Sequence, residues 1–289
     1  MNDQAKYPLV SIGMPVYNEQ AFIDLSLASL REQTYPNLEI IVCDNASTDD
    51  TLAICRRHAG QDARIRIDVA AQNRGVTANF RHAEKLAQGK YFMWGCGHDL
   101  WSPGLVQECV ELLEANPQAT LAYASSDWIG ADGARLDRKA GWYDTQGLSA
   151  AGRFYTVLWG NMHPVLGLLR TSALRAHGPI PPIVGGDLVF LTRMALHGDF
   201  LHVRNAKWSR REFRMELSYA DKLRRYSSSS FGMAVPWLAR RLPMLVLPVA
   251  LARNLVTARM PTLEKLAAIA ALPANLLLRL IIGRRRPAG

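Results

Sequence analysis

The chain has 289 residues, is 49% hydrophobic and 20% charged, and carries a formal net charge of +9, which fits one large globular domain with an appendage and excludes a disordered or disulfide-framework protein. The charge is lopsided: residues 231–289 hold nine Lys and Arg against the single acid Glu264, a balance of +8. Residues 1–230 are therefore nearly neutral, which argues against a nucleic-acid partner there.

In chain order, residues 9–16 read as a buried strand. Residues 21–33 carry Phe22, Leu25, Leu27 and Leu30 at helical spacing. A second strand spans 38–43, and Ser47 or Thr48 can cap a helix running from Asp49 to about His58. Residues 65–69 alternate as a third strand. Residues 77–87 are helical and stop at Gly89. A fourth strand spans 91–96, Pro103 opens a helix to about Ala115, and 120–128 is a fifth strand. This alternation predicts right-handed crossovers and a mostly parallel α/β sheet flanked by helices. Beyond Trp128 the pattern loosens: a turn at Ala131-Asp132-Gly133, a strand at 165–170, a helix over 188–196 and a short last strand at 200–203. The one low-complexity run is Ser227–Ser230.

The first two apolar runs each end in a polar cluster, Pro15-Val16-Tyr17-Asn18-Glu19 and Asp44-Asn45-Ala46-Ser47-Thr48-Asp49. In open α/β sheets ligands bind at the carboxyl ends of the strands, where such clusters sit. Tyr17 can stack on a flat base or simply pack. Asp44 can accept hydrogen bonds from a base or ribose or hold a turn. Glu19 can hold the nucleoside or favour the start of the next helix through its charge. The chain is thus expected to open with a nucleotide pocket.

With these residues the chain resembles glycosyltransferase family 2, the inverting nucleotide-sugar transferases of GT-A (Rossmann-like) fold, over roughly residues 8–215. The pieces that carry the resemblance are Val10-Ser11-Ile12 through Glu19, Ser29-Leu30-Arg31-Glu32-Gln33-Thr34, Glu39-Ile40-Ile41-Val42, Asp44 with Ser47-Thr48-Asp49, Asn73-Arg74-Gly75, Gly89-Lys90-Tyr91 and Pro103. The resemblance implies a nucleotide-diphosphate-sugar donor held by Pro15, Tyr17, Glu19, Asp44 and Asn45, with Arg74 reaching the donor phosphates or standing solvated at a helix start. Asn45 occupies a position where many relatives carry a second acid. The family's acidic metal motif lies before the proline, and here that segment reads Cys96-Gly97-His98-Asp99-Leu100-Trp101-Ser102-Pro103. Cys96 and His98 replace two usual acids. His98 and Asp99 are the implied ligands of Mg²⁺ or Mn²⁺, with a backbone-bonded histidine as the alternative for His98. The family's general base is an acid starting a late helix, often after glycines, so Gly185-Gly186-Asp187 makes Asp187 the implied base, with a plain helix cap as its alternative. The implied reaction is transfer of a sugar to a glycan or lipid-linked acceptor, as in bacterial cell-surface polysaccharide assembly. A sugar nucleotidyltransferase ranks low because Tyr17-Asn18-Glu19 stands where that class carries a glycine- and basic-rich loop. A membrane-associated scaffold that has lost the metal site is a second alternative, kept by Cys96 and His98.

The tail, 231–289, has apolar stretches at 244–252 and 266–278 that look too short or too interrupted to span a bilayer. Pro243, Pro248, Pro261 and Pro273 are expected to break it into short helices. Basic amphipathic helices in the membrane interface fit this composition; a helical subdomain packed on protein is the alternative. Cys43, Cys55, Cys96 and Cys109 show no CxxC or zinc spacing, and no signal peptide is expected at the N-terminus. Together these predict a cytoplasmic protein, peripheral on the inner face of the cell membrane.

Overall fold

The computed structural model describes residues 7–138, 143–160, 163–212 and 243–285. The boundary expected near residue 230, the Ser227–Ser230 run and Arg286 lie outside the described residues.

The first half follows the expected alternation. Strands β1 (Val10–Val16), β2 (Leu38–Asp44), β3 (Ile65–Val69) and β4 (Tyr91–Trp94) are separated by helices α1 (Ile23–Arg31), α2 (Thr51–Ala59) and α3 (Val76–Leu86). The two-residue strand β5 (Leu100–Trp101) precedes α4 (Leu105–Ala115). Next come β6 (Ala119–Ile129), β7 (Arg135–Leu136), α5 (Ala150–Trp159), a 3₁₀ turn (His163–Leu166), β8 (Leu168–Arg170), α6 (Thr171–His177), α7 (Gly186–His197) and β9 (Asp199–Arg211). Two further helices, α8 (Pro243–Thr257) and α9 (Thr262–Arg285), end the described chain.

One mixed sheet runs in the order β3-β2-β1-β4-β8-β6-β9-β5, with β7 on β6. Parallel pairing dominates, through β1–β2, β1–β4, β2–β3 and the long β6–β9 pair. The antiparallel joins at β8, β5 and β7 are each two residue pairs long. Alternate residues of the central strands bury on both faces: Ile40 and Val42 join the core under α1, α2 and α4, whereas Ile41 and Cys43 join the core under α3, α5, α6 and α7.

Several expectations are corrected. The strand expected at 165–170 begins only at Leu168. Pro164 has no N–H to give a ladder, and the Gly167 N–H bonds back to the Pro164 carbonyl at 2.9 Å. The short strand at 200–203 is a 13-residue strand. Its second half looks like a charged loop in sequence, yet Ala206, Trp208 and Arg211 are buried and Lys207 to Arg211 pair with β6 beyond a register shift at Ala124/Ser125. Ser47 and Thr48 do not cap α2; they bond the loop after β1 instead.

The tail is also corrected. Pro248 and Pro273 lie inside continuous helices. Each proline removes one i→i−4 bond, and 15 and 24 residues of helix outlast that loss. By length and composition Thr262–Ile282 is apolar enough to cross a membrane, with mean hydropathy 1.8 and only 11% of its most apolar stretch buried. One face of the pair does pack on protein. Leu251, Leu255, Ala268 and Leu272 share an apolar cluster with Phe154 and Leu158 of α5 and Leu188 and Val189 of α7. Polar contacts fix the docking: the Ala151 N–H donates to Glu264 (2.7 Å), Trp159 Nε1 to Asn275 Oδ1 (2.8 Å), and Asn254 Nδ2 to the Val189 carbonyl (2.8 Å). The other face leaves Leu245, Val249, Val256, Leu263, Leu266 and Leu277 exposed.

Candidate active site

The carboxyl ends of β1 and β2 lie side by side, with Val16 in register with Asp44. Their loops lock together. Asn18 N–H donates to Ser47 Oγ (3.0 Å), Thr48 N–H to Asn18 Oδ1 (2.9 Å), Glu19 N–H to Thr51 Oγ1 (2.7 Å) and Gln20 N–H to Asp49 Oδ2 (3.2 Å). Asn18 (φ 52°) and Ala46 (φ 61°) are both left-handed, a conformation that costs on the order of 1–3 kcal/mol for a non-glycine residue and clusters at ligand sites.

Asp44 is 1% exposed. Its Oδ2 accepts the Ser47 N–H at 3.1 Å, but Oδ1 is buried with no hydrogen-bond partner among the described residues. Such an orphan acceptor costs free energy until a donor arrives. Tyr17, the residue after Val16, is exposed, and Pro15 is half-buried in β1. Asn45 is used internally: Nδ2 donates to Asn73 Oδ1 (2.8 Å) and Oδ1 accepts the Arg74 N–H (2.9 Å). The Arg74 residue itself is exposed.

The loop after β4 carries the second group. Cys96, His98 and Asp99 each offer a donor atom, and the three atoms lie within 4.8 Å of one another. Asp99 is 1% exposed. It accepts Trp208 Nε1 and the Arg211 backbone N–H, both at 3.0 Å, which ties the loop to β9. Burial pushes its carboxyl up, opposed by His98 and by these donors. The Glu19 carboxylate faces His98 Nδ1 at 3.2 Å, and His98 Nε2 lies 3.9 Å from Asp99 Oδ1. Glu19 thus sits with the loop after β4. Gly97 permits the approach, since a Cβ there would lie 3.0 Å from Glu19 Cγ. Arg211 clamps the loop from below: its Nε donates to the His98 carbonyl and its Nη1 to the Gly130 and Ala131 carbonyls, each at 3.0 Å.

A cavity of about 290 Å³ opens at this loop. Cys96, His98, Asp99, Asp187, Arg81, Arg210 and Trp94 line it, together with an apolar wall that includes Val165, Leu166 and Ile180–Ile183. It brings His98 and Asp99 together with Asp187; Pro15, Tyr17, Asp44, Asn45 and Arg74 do not line it. Asp187 is the second residue of α7, not its cap, which is Gly185 at φ 79°. Its side chain is open to the cavity yet walled by protein on most sides. Desolvation pushes its carboxyl up, opposed by the charge of Arg210.

Three contributors were not readable in the sequence. Arg81, whose Nε is buried with no partner among the described residues, stands one turn past Thr77 on α3, and that i, i+4 spacing was the available signal. Arg210 and Arg211 sit in a charged run that gives none. The carboxyl group of Asp99, the imidazole of His98 and the thiol of Cys96 form a donor set that can take a divalent ion with affinity for nitrogen as well as oxygen.

Comparison with known proteins agrees with this geometry. Over 148 residues the chain is 29% identical to chondroitin synthase of Escherichia coli, covering 50% of this chain and 21% of that protein. Over 131 residues it is 28% identical to the putative teichuronic acid biosynthesis glycosyltransferase TuaG of Bacillus subtilis, covering 45% and 52%. The chain thus spans between about a fifth and about half the length of these relatives. Its fold is that of S. aureus TarS 1–349 in complex with UDP-GlcNAc (TM-score 0.68, 15% identity, 93% and 73% coverage). The mannosyltransferase PcManGT from Pyrobaculum calidifontis, in complex with GDP-Man and Mn²⁺, has the same fold (TM-score 0.55, 22% identity, 94% and 81% coverage). The model of glycosyl transferase family 2 matches residues 11–177, more than half the chain. The chain is a GT-A-fold member of glycosyl transferase family 2.

Proposed function

We propose that this glycosyltransferase moves a sugar, with inversion, from a nucleotide-diphosphate sugar to a glycan or lipid-linked acceptor in bacterial cell-surface polysaccharide assembly. The observation that carries the reading is the single cavity lined by His98 and Asp99 and by Asp187. Inversion needs a base near the acceptor and a stabilised leaving group near the donor phosphates, and these residues supply both functions in one space.

In this reading Asp44 receives a donor N–H of the nucleoside at its orphan Oδ1, and Tyr17 covers the base. Pro15, Asn45 and Arg74 shape the rim of that pocket. His98 and Asp99 would hold the divalent cation, and Mn²⁺ suits the imidazole better than Mg²⁺. The cation, when bound, would neutralise charge growing on the departing diphosphate. Arg81 and Arg210 add fixed positive charge at the same cavity. Asp187 takes the proton of the acceptor hydroxyl, and its raised pKa makes it a stronger base than an ordinary carboxylate. The apolar wall and the nearby tail suit an acceptor carried on a lipid. Residues 231–289, taken as a unit appended to a catalytic domain of 1–230, would hold the enzyme on the inner face of the cell membrane. Arg253 and Arg259 are exposed in the same segment that leaves apolar side chains exposed, and the tail's one acid is turned onto α5.

The test is a thermal-shift screen of nucleotide sugars, followed by assay of nucleoside diphosphate release with and without Mn²⁺. Stabilisation by one donor and metal-stimulated release are expected. No shift with any nucleotide and no release would leave the non-catalytic scaffold as the better reading.

A further inference from the structure

We infer that Cys96 is a third protein ligand of the cation site, beside His98 and Asp99, and that the site therefore prefers a thiophilic divalent ion such as Co²⁺ or Zn²⁺ to Mg²⁺. The inference rests on the metal reading of this site given above. Donor atoms of a divalent ion bound at about 2.0–2.3 Å stand roughly 3–4.6 Å apart, and the three donor atoms here lie within 4.8 Å of one another. A second observation points to the same use. The Glu19 carboxylate faces His98 Nδ1 at 3.2 Å, on the far side of the ring from Asp99, which lies 3.9 Å from Nε2. A carboxylate on one imidazole nitrogen with a metal on the other is the arrangement that orients ligating histidines. Glu19 is nearly buried and Gly97 is shaped around it. Asp99 is aimed in the same way by Trp208 and the Arg211 N–H.

The donor set decides the ion. Mg²⁺ takes oxygen ligands in near-ideal octahedral geometry. A thiolate, an imidazole and one carboxylate suit Zn²⁺ and Co²⁺, for which the Irving–Williams order gives higher affinity than for Mn²⁺. As the sulfur–metal bond forms, the thiol proton leaves to solvent and the metal remains divalent.

Co²⁺ titration of the purified chain reads this out without any assay of transfer. The expected result is a near-ultraviolet thiolate-to-Co²⁺ charge-transfer band. It would belong to Cys96, because Cys43, Cys55 and Cys109 are buried at 1% exposure or less. Cys96→Ser should abolish the band and weaken Co²⁺ on the order of 10–100-fold, the scale set by even an outer partner of a metal ligand, while changing Mg²⁺ little. Glu19→Gln should keep the band and weaken Co²⁺ roughly 10–100-fold. If Cys96→Ser fails to fold, Cys96→Ala and the wild-type spectrum carry the same test. Co²⁺ bound without the band, no Co²⁺ binding, or unchanged affinity in Cys96→Ser each overturns the assignment. Nucleoside diphosphate binding, followed in parallel by thermal shift, keeps the two readings apart. Binding without the band sinks the Cys96 ligand alone, whereas a band with no nucleotide binding sinks the glycosyl-transfer reading and keeps the ligand.

Discussion

The loops at the ends of β1 and β2 differ from the cavity behind β4 in how they are built. In the first, the ties between the two loops join residues about 30 apart along one βαβ unit, such as Asn18 to Ser47 and Glu19 to Thr51. In the second, Glu19 meets His98 from 79 residues away and Asp99 is held by Trp208 and Arg211 from 109 and 112 residues away. The first region is made by one crossover and can be set once β1 and β2 pair. The second exists only when β9 has closed on β6 and β5. The proposed nucleotide end is thus a local product of the chain, and the proposed reacting end a product of the whole sheet.

The largest effect should separate the reacting end from the nucleotide end. Asp187→Asn is expected to lower kcat by roughly 10²–10⁴-fold, the usual worth of a positioned base, with nucleotide affinity unchanged. A loss of affinity equal to the loss of rate would move Asp187 into the donor pocket. Because the folded carboxyl has a raised pKa, the wild-type rate should fall with decreasing pH at a point above the ordinary value of 3.8. The same shift fixes a sign for stability. The folded state favours the protonated form, so wild-type stability is penalised as pH rises above 3.8. Asp187→Asn should therefore melt higher than wild type at neutral pH, and the gain should vanish below that value.

Next in size is the nucleotide end. Asp44→Ala should weaken nucleoside diphosphate binding roughly 10–100-fold, the equivalent of about 1.5–3 kcal/mol for a hydrogen bond to a charged group. Calorimetry with the donor found by screening measures it. The loss should appear without metal, and it should leave the proposed Co²⁺ site intact if the two regions are as separate as their construction indicates. A parallel loss of Co²⁺ affinity would show that they act as one.

The same division governs what could be read from the sequence. β1, β2 and β4 are apolar runs and β3 alternates, signals carried within each segment, and all four lie within a residue or two of expectation. Asp44 could be picked out because it ends an apolar run, whereas Asp99 and Asp187 were marked only by the resemblance to glycosyltransferase family 2. The second half of β9 could not. Lys207, Ser209, Arg210 and Arg211 look like a surface loop, and only pairing with β6 makes them a strand. Arg211 carried no local mark of its part in holding the loop after β4, since its partners are carbonyls about 80 residues away and the loop at His98. The continuity of α9 through Pro273 was hidden for another reason: proline sets a cost, and the surrounding helix decides whether the cost breaks it.

The smallest expected effect tests the tail against both regions. If the exposed face of α8 and α9 rests on anionic lipid, the chain should co-sediment with vesicles containing phosphatidylglycerol and release as salt is raised. Neutralising Arg253 or Arg259 to Gln, both exposed, should each cost about 1 kcal/mol of this binding, about a fivefold loss of affinity. Neither residue is in the cavity, so donor hydrolysis in detergent should be unchanged. Leu263→Asp removes apolar contact at the most exposed large side chain of the face, 82% exposed. It should release the protein from vesicles at all salt concentrations with little change in melting temperature, because that side chain buries nothing in the chain itself. Salt-insensitive binding in all three variants would mean that α9 inserts rather than rests on the surface. Binding to neutral and anionic vesicles alike would remove the arginines from the account and leave its apolar face as the sole anchor.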